Sequence, residues 1–481
     1  MSTEEITTLS APLKKEQNRT TDSGVLNGLY HWKNYEKIVF RITFVFLLLM
    51  TIPTDPEWYV HTWNYDWSKI HWNMLYDISA AGRIPKFVTI ATESGKWGIA
   101  SYVNLFLSAV FAAVTGLIWT AIVKIRKTER KEYNELYYWV RALARYQVGF
   151  AIVAWGYRKL IPLQMMWPPT DILNTPIVQI QEQKLYWQSV GIVPHYESFL
   201  GFAEFLGGIL LLFRKTTALG AAITTVVLAN IVLANHVYDG SVHIHSFMFA
   251  FVAFILLWKD LPNIWNLLVR EKDVTPAVYY PDFSTPWKKY THLIVKTVAL
   301  LIFVVLEFIL HATGEFEYRV PTARGIKGAD GYYMVSEFKL NNKVIPYDPL
   351  DSIRWQDVII EKWATLAFKV NRKEKIDQSN GPALRASGGL VDDIDRGWES
   401  SGVQGRHFFY YTIDTVNHVL HLQNKNKSHR EEKQELHYSQ PSASTLVLSG
   451  INEFKDSIHV VLQKSDKKYP VILQGRLEDT Y

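Results

Sequence analysis

Glu204, Arg158, Lys159, Glu307, His311, Asn235 and His236 each sit in or at the end of a stretch that is otherwise apolar. Such a position is costly for a charged or strongly polar side chain unless the group is paired, hydrated or engaged with a ligand. Two readings follow. In one, Arg158 pairs with Glu204 or Glu307 and the charges knit helices together. In the other, the groups line a polar pocket that receives a quinone headgroup, a metal ion or a polar substrate, and a buried carboxyl exchanges protons with it. On that second reading Glu204, Arg158, His236 and Glu307 are the catalytic candidates. Lys159, Asn235, Asp239 and His311 are then the candidates for holding a cofactor.

A second feature is the run H-V-Y-D-G-S-V-H-I-H from His236 to His245. Imidazole and carboxylate groups at this density are potential metal ligands, here His236, Asp239, His243 and His245. The spacing matches no H-E-x-x-H type of motif. His243 and His245 share a face only in an extended segment, because side chains two apart diverge on a helix. A capping or interfacial role for these histidines stands beside the metal reading. The chain has no cysteine, which removes disulfides, thiolate ligands and a cysteine nucleophile. No nucleophile elbow, phosphate loop, dinucleotide fingerprint or zinc spacing occurs.

The elements that must position these groups are long apolar segments. A helix needs roughly 20 mostly apolar residues to cross a bilayer. About seven segments approach that, near 36–53, 97–124, 137–163, 198–214, 217–236, 243–262 and 292–312. Lys and Arg gather after the second (Lys124 to Lys131), fourth (Arg214, Lys215) and sixth (Lys259 to Lys289) segments, whereas His236 to His243 has none. By the positive-inside tendency the N-terminus is cytoplasmic and everything beyond the last span is outside, in the periplasm of a bacterium. The candidate residues then fall in or just above the outer leaflet. Arg41, Arg141, Arg145, His292 and Lys296 fall on the inner side, where they are expected to snorkel to headgroups. The loop D-P-E-W-Y-V-H-T-W-N-Y-D-W-S-K-I-H-W is expected to lie along the outer interface, partly helical.

Beyond His311 the pattern changes to period two. Tyr332 to Leu340, Asn341–Asn342 and Lys343 to Tyr347 read as a hairpin. Further strands are expected at 354–370, 406–413, 417–423, 434–439, 444–449, 456–464 and 469–474, giving an antiparallel sandwich or barrel. Asp377 to Gly405 reads as a long loop. The expected organisation is a mobile polar tail (1–35), N-terminal spans with the aromatic loop (36–135), a four-helix core (136–265), a cytoplasmic loop and last span (266–312), and a periplasmic β-rich domain (313–481). The tail does not read as a signal peptide. The net charge of +5 is spread over many loops and does not suggest nucleic acid as a partner.

The residues Trp155 to Met165 (W-G-Y-R-K-L-I-P-L-Q-M), Gly191 to Tyr196 (G-I-V-P-H-Y), Gly201 to Ala221 and Asn235 to Asp239 together resemble the DoxX-like family of small four-helix membrane proteins. The resemblance is closest to long forms with extra N-terminal spans and a β-rich C-terminal extension, and it covers about 120 residues. Glu204 to Phe213 and Arg158–Lys159–Leu160 are its most specific parts. The resemblance implies a bacterial inner-membrane protein, with quinone-linked redox chemistry as one expectation, since the family is named for a subunit of a thiosulfate:quinone oxidoreductase. A more distant similarity, to the membrane domain of vitamin-K-dependent carboxylases, is an analogy of fold alone. No flavin, haem or iron–sulfur ligand set is present, so a redox role needs an electron-exchanging partner. The alternatives are a non-catalytic anchor or accessory subunit that presents the β domain to a periplasmic partner and, third, a transporter of a small solute.

Overall fold

The computed structural model describes residues 32–80, 84–89, 98–162, 164–240, 242–274, 279–313, 319–377 and 391–469. Most of the expected tail, the strand expected at 469–474 and the middle of the expected loop from Asp377 lie outside the described residues.

The first half is helical: α1 (Asn34–Thr51), α2 (Pro56–Trp63), α3 (Trp72–Ser79), α4 (Val103–Ile125), α5 (Asn134–Leu160), α6 (Thr170–Leu173), α7 (Glu182–Gly191), α8 (Pro194–Leu211), α9 (Thr217–Val237), α10 (His243–Trp258), α11 (Leu261–Leu268), α12 (Pro286–Leu300) and α13 (Glu307–Thr313). Between α12 and α13, Leu301–Leu306 is π-helical. Among the described residues, four helical stretches are long and apolar enough to cross a membrane: Asn34–Trp63, Ala100–Ile125, Arg214–Val237 and Pro286–Thr313. The pair α10–α11, bent by 64°, makes a fifth if it is one span. Helices also form at the third and fourth segments read from the sequence, as α5 and α8, but neither passes the same test. Arg141, Arg145, Arg158 and Lys159 interrupt α5, and Glu197 and Glu204 interrupt α8.

Apolar residues face both ways on these helices. Met50, Ala151, Ile152, Leu211 and Ala253 pack in the core, whereas Phe106, Ile118, Val226, Leu233, Ile294 and Val295 point outward. Continuous apolar surface of that extent suits hydrocarbon rather than water.

Two helices approach so closely that only glycine fits. A Cβ on Gly201 of α8 would lie 2.2 Å from the Leu160 amide nitrogen of α5, and one on Gly156 would lie 2.8 Å from that of Phe205. Gly149 and Gly208 repeat the contact nearer the other end. Small residues let helix backbones meet where lipid supplies no hydrophobic force between them.

Two cations read from the sequence as able to snorkel, Arg41 and Arg141, are held by protein oxygens. Arg41 is buried and donates to Glu129 (2.5 Å), Thr120 (2.9 Å) and Tyr133 (2.8 Å). Arg141 pairs with Asp260 at 2.5 Å. Tyr133 and Glu129 precede α5 and Thr120 is on α4, so the guanidinium of α1 finds donor-matched oxygens close enough to replace water.

The second half is a closed antiparallel barrel. Its strands are β1 (Gly331–Leu340), β2 (Lys343–Val344), β3 (Asp357–Ile360), β4 (Thr365–Lys369), β5 (Arg406–Asp414), β6 (Val419–Asn424), β7 (Lys433–Ser442), β8 (Thr445–Ile451) and β9 (Ser457–Lys464). Neighbours pair from β3 to β9, and β1 pairs with both β3 and β9, which closes eight strands; β2 is a short flap on β1. The β1–β2 turn is Asn341–Asn342, both at positive φ, as a tight hairpin requires. The stretch expected as one strand at 354–370 folds as β3 and β4, because Glu361 to Ala364 turn the chain. Tyr333, Phe338, Phe368, Phe409, Leu436, Leu448 and Leu462 fill the interior, as small barrels do.

Strands β7 to β9 alternate buried and exposed, but β3 is buried at every position and β4 at all but its last. Their outer face is covered by the segment that joins α5 to α8. Ile172 and Ile180 of that segment pack on Ile359, Ala367 and Phe408. Ile180 forms an isolated bridge with Val403, flanked by hydrogen bonds from Gln181 N to Gly402 O and from Gln404 N to Gln179 O, both 2.8 Å. The barrel is thereby sealed to the helical half.

Replacing Gly201 by valine forces the α5 and α8 backbones apart. We expect a loss of about 3 kcal/mol, read as a lowered thermal unfolding midpoint in detergent, while Ala218→Val, on the neighbouring α9, changes it little. Equal effects of the two changes contradict the backbone contact.

Candidate functional site where bundle meets barrel

The α5–α8 crossing places Lys159 opposite Gly201 and brings its ammonium to Glu204. Lys159 Nζ donates to both carboxylate oxygens at 2.9 Å, and both residues are buried. This differs from the pairing of Arg158 with Glu204 or Glu307 expected from sequence. Consecutive helical residues point about 100° apart, so when Lys159 faces α8 its neighbour faces α3. Arg158 stacks its guanidinium over Trp72 at 5.5 Å and Tyr76 at 5.1 Å.

Glu307 and His311 close the last long helix, one turn apart on one face. They are 0% and 1% exposed. His311 Nδ1 bonds the Glu307 carbonyl at 2.9 Å. Neither carboxyl oxygen of Glu307, nor Nε2 of His311, has a hydrogen-bond partner among the described residues. The His311 ring lies 4.9 Å from that of Trp72 and 5.8 Å from that of Tyr157. Tyr157 donates to the Val304 carbonyl at 2.9 Å, within the π-helical segment. A π segment misaligns carbonyls and amides and recurs at functional sites. Here it immediately precedes Glu307.

The histidine run resolves into a helix turn. Ser101 bonds His243 Nε2 at 3.0 Å, Tyr102 bonds His236 Nε2, and the Nδ1 atoms meet the Gly240 and Val232 carbonyls. Asp239 takes positive φ, and Asn235 donates to Ser246 at 3.4 Å. His243 is buried while His245 points outward. Among the described residues these side chains do not gather three ligand atoms, whereas Glu374, His429 and Glu432 in the barrel do, within 4.8 Å of one another.

A further group has no counterpart in the sequence reading. Asp171 of α6 and Lys184 of α7 enter the barrel wall beside Glu361, Glu399 and Lys425, all 5% exposed or less. The Asp171 amide donates to Glu361 at 3.0 Å. Glu399 accepts from Thr365 at 2.9 Å and pairs with Lys425 at 2.8 Å. Lys184 donates to the Trp398 carbonyl and lies 4.2 Å over its ring. Burial, then the charge of Glu399, pushes Asp171 up to about 7. Burial and then Asp171 push Glu361 well above the carboxylate range. Burial pulls Lys184 down to about 8, against the pull of Asp171 and Glu399, and lowers Lys425. Arg319 and Arg406 also face this group, and the adjacent Asp171 and Glu361, both raised, share a proton that solvated carboxyls would release. The sequence held little signal for this group. Asp171 lies in a polar turn after Pro168–Pro169, and Glu399 lies in a stretch rich in Gly, Ser and Asp.

Comparison with known proteins adds one relative. The chain is 42% identical over 85 residues, 18% of its length, to "Uncharacterized protein YwoB" of Bacillus subtilis (strain 168), and spans 55% of that protein. No protein-family model and no solved structure matches.

Two outcomes follow. Lys159→Met leaves Glu204 buried without its cation, so it should cost about 3 kcal/mol, and the double change Lys159→Met/Glu204→Gln should recover part of that in thermal unfolding. A double variant no better than the single contradicts the pairing. The second concerns pH. Asp171 and Glu361 bind a proton more tightly folded than unfolded, so their stabilisation is fully present below about pH 4, and the share of Asp171 is lost as pH rises to about 7. Lys184 acts oppositely, regaining stability only above about 8. The unfolding midpoint should therefore fall between pH 5 and 7.5, and Asp171→Asn should flatten that fall. An unchanged slope in the variant contradicts the shared proton.

Proposed function

We propose that the chain is a DoxX-like inner-membrane protein of about seven spans, in which α5 and α8 complete the bundle, the N-terminus is cytoplasmic and the barrel is periplasmic. The glycine-mediated contact of α5 with α8 supports their membership of the bundle, since a paired Lys159 and Glu204 lowers the cost of placing that helix pair in lipid. The clusters Lys124 to Lys131 and Arg214–Lys215 support the sidedness.

Within this frame the chain works as a quinone-linked redox protein at the outer leaflet. The observation that carries this reading is the pair Glu307 and His311, buried, without side-chain hydrogen-bond partners among the described residues at three of their polar atoms, and bordered by Trp72, Tyr157 and Phe308. Buried polar atoms are ordinarily satisfied. A quinone headgroup fits the vacant bonding capacity, since it presents carbonyl or hydroxyl oxygens on a flat apolar ring. Quinones supply two-electron, two-proton chemistry. A quinone bound here would be held at a headgroup oxygen by His311 Nε2, with Glu307 placed to supply or accept a proton and the Trp72 and Tyr157 rings excluding water. Arg158, held on Trp72 and Tyr76, keeps a positive field beside them. Electrons pass to or from a partner at the outer face.

A second reading has its own support. The cover that the α5–α8 connection lays over β3, β4 and β5 fixes the barrel to the membrane, as an anchor presenting the barrel to a partner would require.

The test is extraction of protein purified in mild detergent and analysis of the extract for quinone by mass spectrometry, for wild type, Glu307→Gln and His311→Ala. The quinone reading expects about one quinone per chain in wild type and at least a tenfold loss in His311→Ala. Lipid without quinone in a folded wild type overturns it and leaves the anchor reading.

A further inference from the structure

Glu197 is a second buried acid on α8, seven residues before Glu204 and on the same face of the helix. It is 0% exposed. Its Oε1 accepts the amides of Gln164 and Met165, both at 2.9 Å, which fixes the chain where it leaves α5. Its Oε2 is buried with no hydrogen-bond partner among the described residues.

Lys159 stands between the two acids. A Cβ on Gly201 would lie 2.6 Å from the Lys159 carbonyl carbon, so the lysine backbone abuts α8 at Gly201. At about 1.5 Å per residue, Glu197 lies about 6 Å along the helix in one direction and Glu204 about 4.5 Å in the other. A lysine side chain of four methylenes reaches either. Its ammonium rests on Glu204, and the Glu197 carboxylate feels the Lys159 charge as well. The other charges facing this group are Arg158, toward Glu204, and Arg319, toward Glu197, with the Tyr186 hydroxyl near Glu204.

We propose that Lys159 is a two-position proton carrier between Glu204 on the bundle side and Glu197 on the barrel side, and that Glu197 is the outer terminus of the proton route. This rests on the proton-handling part of the reading above. The step balances with protons alone. At rest the ammonium of Lys159 sits on the Glu204 carboxylate. When a proton arrives on Glu204 the ammonium is released and swings to Glu197, where an N–H bond breaks and an O–H bond forms at Oε2. The free amine returns and takes the Glu204 proton, breaking that O–H bond and restoring the ammonium and carboxylate.

The test uses Glu197→Gln in the full-length protein. Glutamine keeps a carbonyl oxygen for the Gln164 and Met165 amides but holds no titratable proton. Infrared difference spectra recorded across pH resolve the carboxyl band that disappears in Glu204→Gln. The carrier expects the midpoint of that band to move by about one pH unit in Glu197→Gln, and the band lost in Glu197→Gln to move equally in Glu204→Gln, as coupled sites require. Lys159→Met should remove the coupling, leaving each midpoint insensitive to the other acid. If the Glu204 midpoint is the same with and without Glu197, Glu197 only anchors the loop and the proposal fails. If Glu197→Gln does not fold, Glu197→Asp, whose shorter side chain draws the carboxyl away from Lys159, takes its place: a shifted Glu204 midpoint supports the carrier and an unshifted one overturns it. Neither outcome depends on quinone, so a chain without quinone can still show coupled acids, and a chain with quinone can lack them.

Discussion

The contact of α5 with α8 at Gly201 and Gly156 governs the barrel-facing end of the helical bundle. Because the backbones touch there, Lys159 has one direction in which to extend, and Glu204 lies in that direction. The same contact fixes the end of α5, so that the amides of Gln164 and Met165 meet Glu197 and the following chain is aimed at the barrel. A Cβ at Gly201 would disturb the ion pair, the loop and the barrel cover together. Energetically the arrangement is delicate. Burying Lys159 and Glu204 costs desolvation that their mutual bonds offset only while both are present. Packing that brings the two backbones into contact is what keeps them together.

The charges at the barrel junction obey the same rule with a different outcome. Asp171, Lys184, Glu361, Glu399 and Lys425 come from two halves of the chain and are dry only when those halves are joined. Asp171 and Glu361 hold a proton above the ordinary carboxylate range, so the joint senses pH in a range where surface carboxylates do not. The acids of α8 and the junction acids are linked by position. Glu197 is near Lys159 on one side and Arg319 on the other, and Arg319 stacks on Trp187 and Trp398 at 4.9 Å each.

Much of this architecture was legible before any coordinates. The shift from long apolar runs to period two after His311 separated bundle from barrel, because helix in lipid and half-buried strand impose different periods. The hairpin at Asn341–Asn342 followed from residues that tolerate positive φ. Glu204, Lys159, Glu307 and His311 stood out because charge is rare in apolar sequence. What sequence did not supply was direction. Arg158 and Lys159 are equivalent as letters, and only the helix phase set by Gly156 and Gly201 decides which one meets Glu204. The cover on β3 and β4 left a trace in the unbroken apolar run Val358 to Ile360, which reads as a strand buried on both faces but does not say what buries it. Asp171 and Glu399 were invisible, since acids in polar loops are ordinarily solvated.

Buried charge at the barrel-facing end of the bundle is held by the α5–α8 contact, and beside it three polar atoms of Glu307 and His311 lack hydrogen-bond partners among the described residues. An experimental density map of the full chain in lipid nanodiscs tests this most directly. The account expects Lys159 density continuous with Glu204, the barrel seated on residues 170–181, and non-protein density against the Glu307 carboxyl and His311 Nε2. Glu204 directed toward acyl chains, or a barrel detached from that segment, would contradict it.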